Sequence, residues 1–448
     1  MSDSKPSIDL ASATTIVIAS MIGVGVYTTS GFTLLALKDS RMVVIAWTVG
    51  GLIAICGAIG YSALAARFKE SGGEYLFLSK TVHPAAGIMA GWVSILAGFT
   101  GAIAAAAIGI ELYISDMLKT AFGEALLPEN VKVIAIASVA VAGTLHCIGL
   151  RFAARVQDAI VVIKIIMITA FIGFALLSLD QWTGGTTRTA EIAPTFDLLV
   201  FAKQLVWISF SYLGFNAAIY LSGEVTDSGK NVPRAMIIGT SVVTLLYIIL
   251  NTIFVYAPSP TEVLLDENLP KVAAVAAQSI GGPYLANLVS VVIVVSLFTS
   301  VSAMTMTGPR VYAKMADDGV LPANFPFRTT NPAVTIIYQC LASIFVICFS
   351  SLGELLEYLG LTLSLCSAFT VGSLFLIKSN TSDQGISGAP GIAPKIAAIL
   401  FVTATLTFAI LFAIGEFTEN EKPYSVIAAC LTFLLGCFEY FKMKLRDR

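Results

Sequence analysis

Apolar residues in this chain gather into windows of about 20 residues or more, separated by short polar breaks, and that spacing leaves few folds open. A helix rises about 1.5 Å per residue, so roughly 20 apolar residues match the ~30 Å hydrocarbon layer of a bilayer. Backbone polar groups find no water at that depth, so each window has to bond internally as a helix. The pattern is not the ~10-residue alternation of outer-membrane barrel strands. Twelve windows can be drawn, at 10–37, 41–66, 84–117, 131–149, 153–179, 197–223, 233–257, 284–313, 332–350, 353–377, 393–415 and 424–441. Charged residues are 12% of the chain, against about a quarter in a soluble domain. The sequence therefore predicts an all-α membrane protein with twelve transmembrane helices. Residues 1–448 are expected to form a single transmembrane domain, since no polar interval has room for a soluble one. A cleaved signal is not expected, because the first window is long and follows the polar opening "MSDSKPSIDLAS".

With the N-terminus placed inside, the inner segments hold 17 of the 26 Lys and Arg residues and the outer loops hold 7. That bias predicts a plasma (inner) membrane protein with both termini cytoplasmic. All seven cysteines fall within windows, so no extracellular disulfide framework is implied. Two histidines cannot assemble an imidazole metal cluster, "IGVGVY" lacks the third glycine of a dinucleotide site, and no GxxxxGK[ST] occurs. An ATP-driven or redox enzyme is disfavoured, no cofactor is expected, and the partners predicted are a small molecule and the lipid bilayer, not nucleic acid.

The first window contains "SMIGVGVYTTSGF", with Gly23 and Gly25 at its middle and β-branched Val24 and Val26 beside them. All four are poor helix formers. The sixth window is disturbed in the same way at "ISFSYLGFNAA", around Gly214. Freed backbone groups persist in a membrane only where they face protein or a polar cavity. The N–H groups that start a half-helix suit a carboxylate, and freed carbonyls suit an ammonium. On this reading the amides of Val24, Gly25 and Val26 receive a carboxylate, and Gly23 and Gly25 let it approach the backbone. The carbonyls of Met21 and Ile22, with Phe210, Ser211 and Leu213, receive an amine. That is chemistry for an α-amino acid. Close helix packing is the competing explanation of such glycines. The two interruptions each open a set of five windows, about 10–179 and 197–377, with 393–441 left over. Five is odd, so the second set crosses with inverted polarity.

Four further segments join "IGVGVY" in a resemblance: "SGGEYLFLSK" (71–80), "FSYLGFN" (210–216), "SGEVTDSGKNVPRA" (222–235) and "TGPRVYAKMADDGVLP" (307–322). In that order they resemble the amino acid–polyamine–organocation superfamily of transporters. The resemblance implies the LeuT-type fold, a 5+5 inverted repeat with broken helices 1 and 6 plus two C-terminal helices, and alternating access around a midplane site. "FSYLGFN" is closer to L-type exchangers than to proton-coupled relatives, which carry an acid where Asn216 stands here. The resemblance makes Phe210 an aromatic gate and adds Asn216 to the substrate-binding residues. Val24 replaces a serine common in the family, and 118–130 contains no cysteine, so no disulfide-linked accessory subunit is expected. The implied function is sodium-independent transport of L-amino acids by exchange or proton-linked symport. A cationic amino acid or polyamine permease, or a non-transporting sensor, is the alternative.

Lys164 sits well inside the fifth window, where an ammonium is costly unless paired or solvated. Either its stem reaches the interface, or, as the resemblance implies, it takes the place of a sodium ion. In the second case it would bridge carbonyls near Ser20 and Gly23 to the eighth-span hydroxyls of Thr299, Ser300 and Ser302. Glu224 is read as an inner-gate residue or a solvated helix end. Glu354 and Glu357 are expected at a solvent-covered outer mouth.

Overall fold

The computed structural model describes residues 8–68, 70, 72–122, 132–148, 150–183, 196–321, 332–377, 391–419 and 423–446. Among these the structure is helical, with one isolated parallel bridge between Ile8 and Val225. The first window forms two helices, α1 (Leu10–Met21) and α2 (Val24–Leu37), bent by 41°. Asp9 starts α1 by accepting from the Ser12 amide at 2.8 Å, and Asp39 starts α3 (Ser40–Ala65) by accepting from Arg41 at 2.7 Å. The glycine-rich turn that follows carries a short helix, α4 (Gly73–Thr81). Pro84 at a first-turn position and a His83 cap open α5 (Pro84–Val93), which continues through a π-helical stretch, Ser94–Gly101, into α6 (Ala102–Phe122). Proline is well suited to this position because an N–H there would lack a helical partner.

Next come α7 (Val133–Ile148), α8 (Leu150–Leu177) and α9 (Leu198–Tyr212), the last running into a 3-10 segment, Ala217–Glu224. They are followed by α10 (Ser228–Tyr256), the four-residue α11 (Pro260–Val263) and α12 (Val272–Asp317). The remaining helices are α13 (Pro332–Phe349), α14 (Leu352–Gly372), α15 (Ile392–Glu419) and α16 (Tyr424–Arg446). The stretch 261–281 is divided. It consists of α11, a 3-10 turn at Leu269–Lys271 and the start of α12, which breaks at Gly281 and Gly282, the latter at φ 67°.

By length and composition, eight helices among the described residues qualify to cross a membrane, or nine when α1 and α2 count as one span. The other three windows fall on α7, α8 and α13, whose apolar stretches are Val133–Cys147, Val161–Leu177 and Ala333–Phe349, and α8 as a whole runs 28 residues, longer than the ~20 a perpendicular crossing needs. Burial orders the bundle. The third-window helix, Pro84–Lys119, has 78% of its apolar window buried, and Tyr424–Leu445 only 17%, so the former is central and the latter peripheral. Helices five windows apart lie against each other: α2 on α9, α3 on α10, α6 on α12 and α7 on α13.

At the end of the bundle away from Ile8, charged side chains tie helices together. Glu111 accepts from the Ala135 amide at 2.8 Å, capping the start of α7, and Lys132 donates to the Ile347 carbonyl at 2.8 Å at the end of α13. Glu354 makes a capping box with Ser351. Glu357 departs from the expected solvent cover: it lies 3.6 Å from Lys203 and accepts from Ser425 at 2.7 Å. Lys203 also pairs with the buried Glu416 at 2.6 Å. Desolvated carboxylates need such a cation. Lys203→Met is expected to lower stability by about 3 kcal/mol, seen as a reduced midpoint in thermal unfolding. Adding Glu416→Gln should recover part of the loss.

Candidate functional site

The break in the first span begins at Ile22, at φ −76° and ψ 89°, and Gly23 is extended at φ −122° and ψ −161°. Helix α2 restarts at Val24 without a side-chain cap. Its first N–H groups have no carbonyl one turn back, and among the described residues the amides of Val24, Gly25 and Val26 donate to no backbone or side-chain acceptor. The second break follows Tyr212. Leu213 is extended at ψ 157°, Gly214 takes φ +99°, and a turn leads to the 3-10 segment. The Phe210 carbonyl is used by the Leu213 amide at 3.1 Å. Those of Ser211 and Leu213 accept no hydrogen bond among the described residues.

The two breaks touch through reciprocal glycines. A Cβ on Gly25 would stand 2.2 Å from Ser211 Oγ and 3.0 Å from Ser211 Cα, and one on Gly214 would stand 2.6 Å from the Ser20 carbonyl oxygen. Gly214 also requires its left-handed backbone. Close approach at Gly25 is therefore made by Ser211 of the other span, a correction to its expected role of admitting a ligand. Gly23 keeps that freedom, with only the Met21 carbonyl 4.0 Å from its missing Cβ.

Lys164 is buried, at 2% exposure, and does not reach the interface. Its Nζ donates to the Ala19 carbonyl at 3.4 Å and to the Ile22 carbonyl. The first-span half of the predicted bridge is thus displaced by one residue on each side. The eighth-span half differs: Thr299 and Ser300 donate to the Ser296 carbonyl at 2.6 and 3.2 Å, and Ser302 pairs with His146 Nε2 at 2.8 Å. Helical hydroxyls have a carbonyl of their own preceding turn within reach, which leaves the ammonium to the broken span. Met21 is engaged too, its carbonyl accepting from Tyr247 at 2.6 Å.

Sequence reasoning missed the shell around the breaks. Tyr212, Tyr247 and Trp47 form an aromatic trio with centroids 5.1 to 5.7 Å apart. Trp47 Nε1 donates to Ser30 at 2.7 Å, Ser30 donates to Asn251 at 2.5 Å, and Tyr212 donates to the Trp47 carbonyl at 2.9 Å. Buried Glu74 on α4 accepts from Tyr61 at 3.0 Å, from Tyr220 at 2.5 Å and from Asn216 Nδ2. The Asn216 amide is thus spent on Glu74. Phe210 is half-buried, packed against the core. Glu224 is exposed and meets the segment before α1 through its backbone, its carbonyl accepting from the Ile8 amide at 3.1 Å. The one local signal for Glu74 was an acid opening the apolar run "YLFLS" just after two glycines.

The described helices form a membrane bundle whose first span is split and whose 197–223 span unwinds beside it, and the family the chain matches is one of transporters rather than enzymes. The amino acid permease family model matches residues 8–435, and the chain belongs to that family, within the amino acid–polyamine–organocation superfamily of amino acid transporters. Similar proteins include the serine/threonine exchanger SteT of Bacillus subtilis, 29% identical over 362 residues, 79% of either chain. The human large neutral amino acids transporter small subunit 2 is 25% identical over 386 residues, 85% of this chain and 71% of its own. The human Asc-type amino acid transporter 1 is 25% identical over 383 residues, 84% and 72%.

The Gly25 contact yields a test. Gly25→Ala is expected to cost about 1–3 kcal/mol through overpacking and to weaken substrate binding, read by thermal unfolding and by ligand-induced stabilisation. Ser211→Gly in the same chain should return part of the lost midpoint, since it removes the two nearest side-chain atoms. No recovery would show that the two breaks do not meet there.

Proposed function

We propose that this chain is a sodium-independent secondary transporter of L-amino acids, working by alternating access through exchange or proton-linked symport. One observation carries the proposal: three open amides at the start of α2 and two open carbonyls at the end of α9 stand at facing helix breaks. An α-amino acid presents one carboxylate and one ammonium, and this arrangement answers both. The substrate-binding residues are Met21 to Val26, Phe210, Ser211 and Leu213, with Asn216 at the margin where Glu74 holds it. Because Lys164 and Tyr247 already occupy Ile22 and Met21, the ammonium is assigned chiefly to Ser211 and Leu213.

The Lys164 ammonium on two first-span carbonyls is a fixed cation where an ion would otherwise bridge the spans, which supports sodium independence. The packing of helices five windows apart, with the reciprocal Gly–Ser contacts of the breaks, supports a twelve-span 5+5 inverted repeat, and the Lys and Arg bias of the loops supports cytoplasmic termini in the plasma (inner) membrane. The segments at the breaks, "SMIGVGV" and "FSYLGFN", carry no acidic side chain, which favours neutral substrates over arginine or polyamines. The relatives named for serine and threonine and for large neutral amino acids agree with that choice. The outer stretch 118–130 contains no cysteine, and all seven cysteines lie in α3, α7, α13, α14 and α16, so no disulfide-linked partner is proposed.

In proteoliposomes, uptake of labelled L-serine or L-leucine is expected to be the same in sodium as in choline. Strict sodium dependence would remove the role given to Lys164. Saturable binding without flux would make the protein a sensor. Phe210→Ala is expected to raise the KM or lower turnover at least several-fold, and unchanged kinetics would take Phe210 out of the gate.

A further inference from the structure

The 3-10 segment Ala217–Glu224 continues the broken sixth span over eight residues. Runs of 3-10 helix longer than three or four residues are uncommon because their hydrogen-bond geometry is poor, so tertiary contacts have to hold this one. Two sets of contacts do so. Ile8, just before α1, pairs beside the segment's end, where the Thr226 amide donates to the Ile8 carbonyl at 2.9 Å. The other set is the carboxylate of Glu74, which gathers Asn216 from the turn and Tyr220 from the segment, together with Tyr61 of α3.

Glu74 is 6% exposed, and both of its oxygens are engaged. Its partners are all neutral, and no ion pair to it occurs among the described residues. A buried carboxylate satisfied in this way loses much when a donor withdraws, so Asn216 and Tyr220, the two donors from the broken span, are held firmly against Tyr61 and α4. The post on which it stands is fixed. Tyr75 OH, the next residue along, donates to Asp318 at 2.9 Å beyond the end of α12. Gly73, at φ +56°, lets the Tyr220 ring lie where a Cβ would be 2.2 Å from Cε1.

We propose that Glu74 is the latch of the gate on the Ile8 side of the bundle: its carboxylate holds residues 216–220 closed on α3 and α4, and lets go of Asn216 and Tyr220 whenever that side opens. This rests on the alternating-access reading above and names a positioning residue for it, not a substrate contact.

Hydrogen–deuterium exchange of the full-length protein in lipid nanodiscs tests the latch without any ligand. In Glu74→Gln, peptides spanning 213–226 are expected to exchange about tenfold faster, with α10 and the far end of α3 unchanged. Glu74→Asp should restore most of the protection. Tyr220→Phe, which removes one hydroxyl and keeps the ring, should give a smaller rise in the same peptides and add little to Glu74→Gln. Unchanged exchange at 213–226 in Glu74→Gln overturns the latch, as does equally faster exchange along α3 and α10, the mark of general damage. Should Glu74→Gln not fold, unchanged exchange in Tyr220→Phe overturns it. Labelled amino acid flux by the unaltered protein is measured separately. Flux with no loosening refutes the latch alone, and loosening without flux refutes transport alone.

Discussion

A peptide group without a hydrogen-bond partner costs several kcal/mol in hydrocarbon, and the architecture around the two breaks answers that cost. Breaking α1 from α2 frees carbonyls at Ala19 to Ile22 and amides at Val24 to Val26. The carbonyl side is largely settled within the protein, since Lys164 and Tyr247 donate to Ala19, Ile22 and Met21. A lysine buried at that depth has the complementary need, because an ammonium in a membrane has to find acceptors. Break and lysine thus answer each other, and removing either leaves the other exposed to the full penalty. The amide side carries no such internal partner among the described residues, and the carboxylate site proposed above rests on this asymmetry.

The breaks themselves were legible in the sequence because they are local events. Gly23, Gly25 and the β-branched valines weaken a helix wherever it stands, and Gly214 reports a left-handed residue that few other side chains tolerate. Lys164 was legible for a similar reason, since a cation deep in an apolar window has few ways to be satisfied. Its acceptors were placed only to within a residue, and its proposed hydroxyl partners turned inward to their own helix or to His146. What the sequence did not disclose depends on which distant segments meet. Glu74 takes donors from positions 61, 216 and 220, and nothing in the "SGGEY" run says that Asn216 will be among them. Gly25 illustrates the same limit: its small size was evident, but whether a ligand or Ser211 would use the space was not.

Contacts on both sides of the breaks extend the argument. One helical turn before Phe210, Trp207 packs edge-on against Phe32 of α2 with centroids 5.2 Å apart. Beyond the breaks in the other direction, the Glu74 cluster and the Ile8 pairing join the end of the sixth span to α3, α4 and the segment before α1. The first contact is dispersive and aromatic, worth about 0.5–1.5 kcal/mol beyond area burial, and it can slide. The second is a set of hydrogen bonds to one buried charge, which cannot be stretched and kept. On the latch proposal, the Glu74 side therefore has a sharper threshold for opening than an aromatic contact such as Trp207–Phe32 would give. The hydrogen-bonded side opens only when its carboxylate is given other partners, and water admitted by the opening is the most abundant of these.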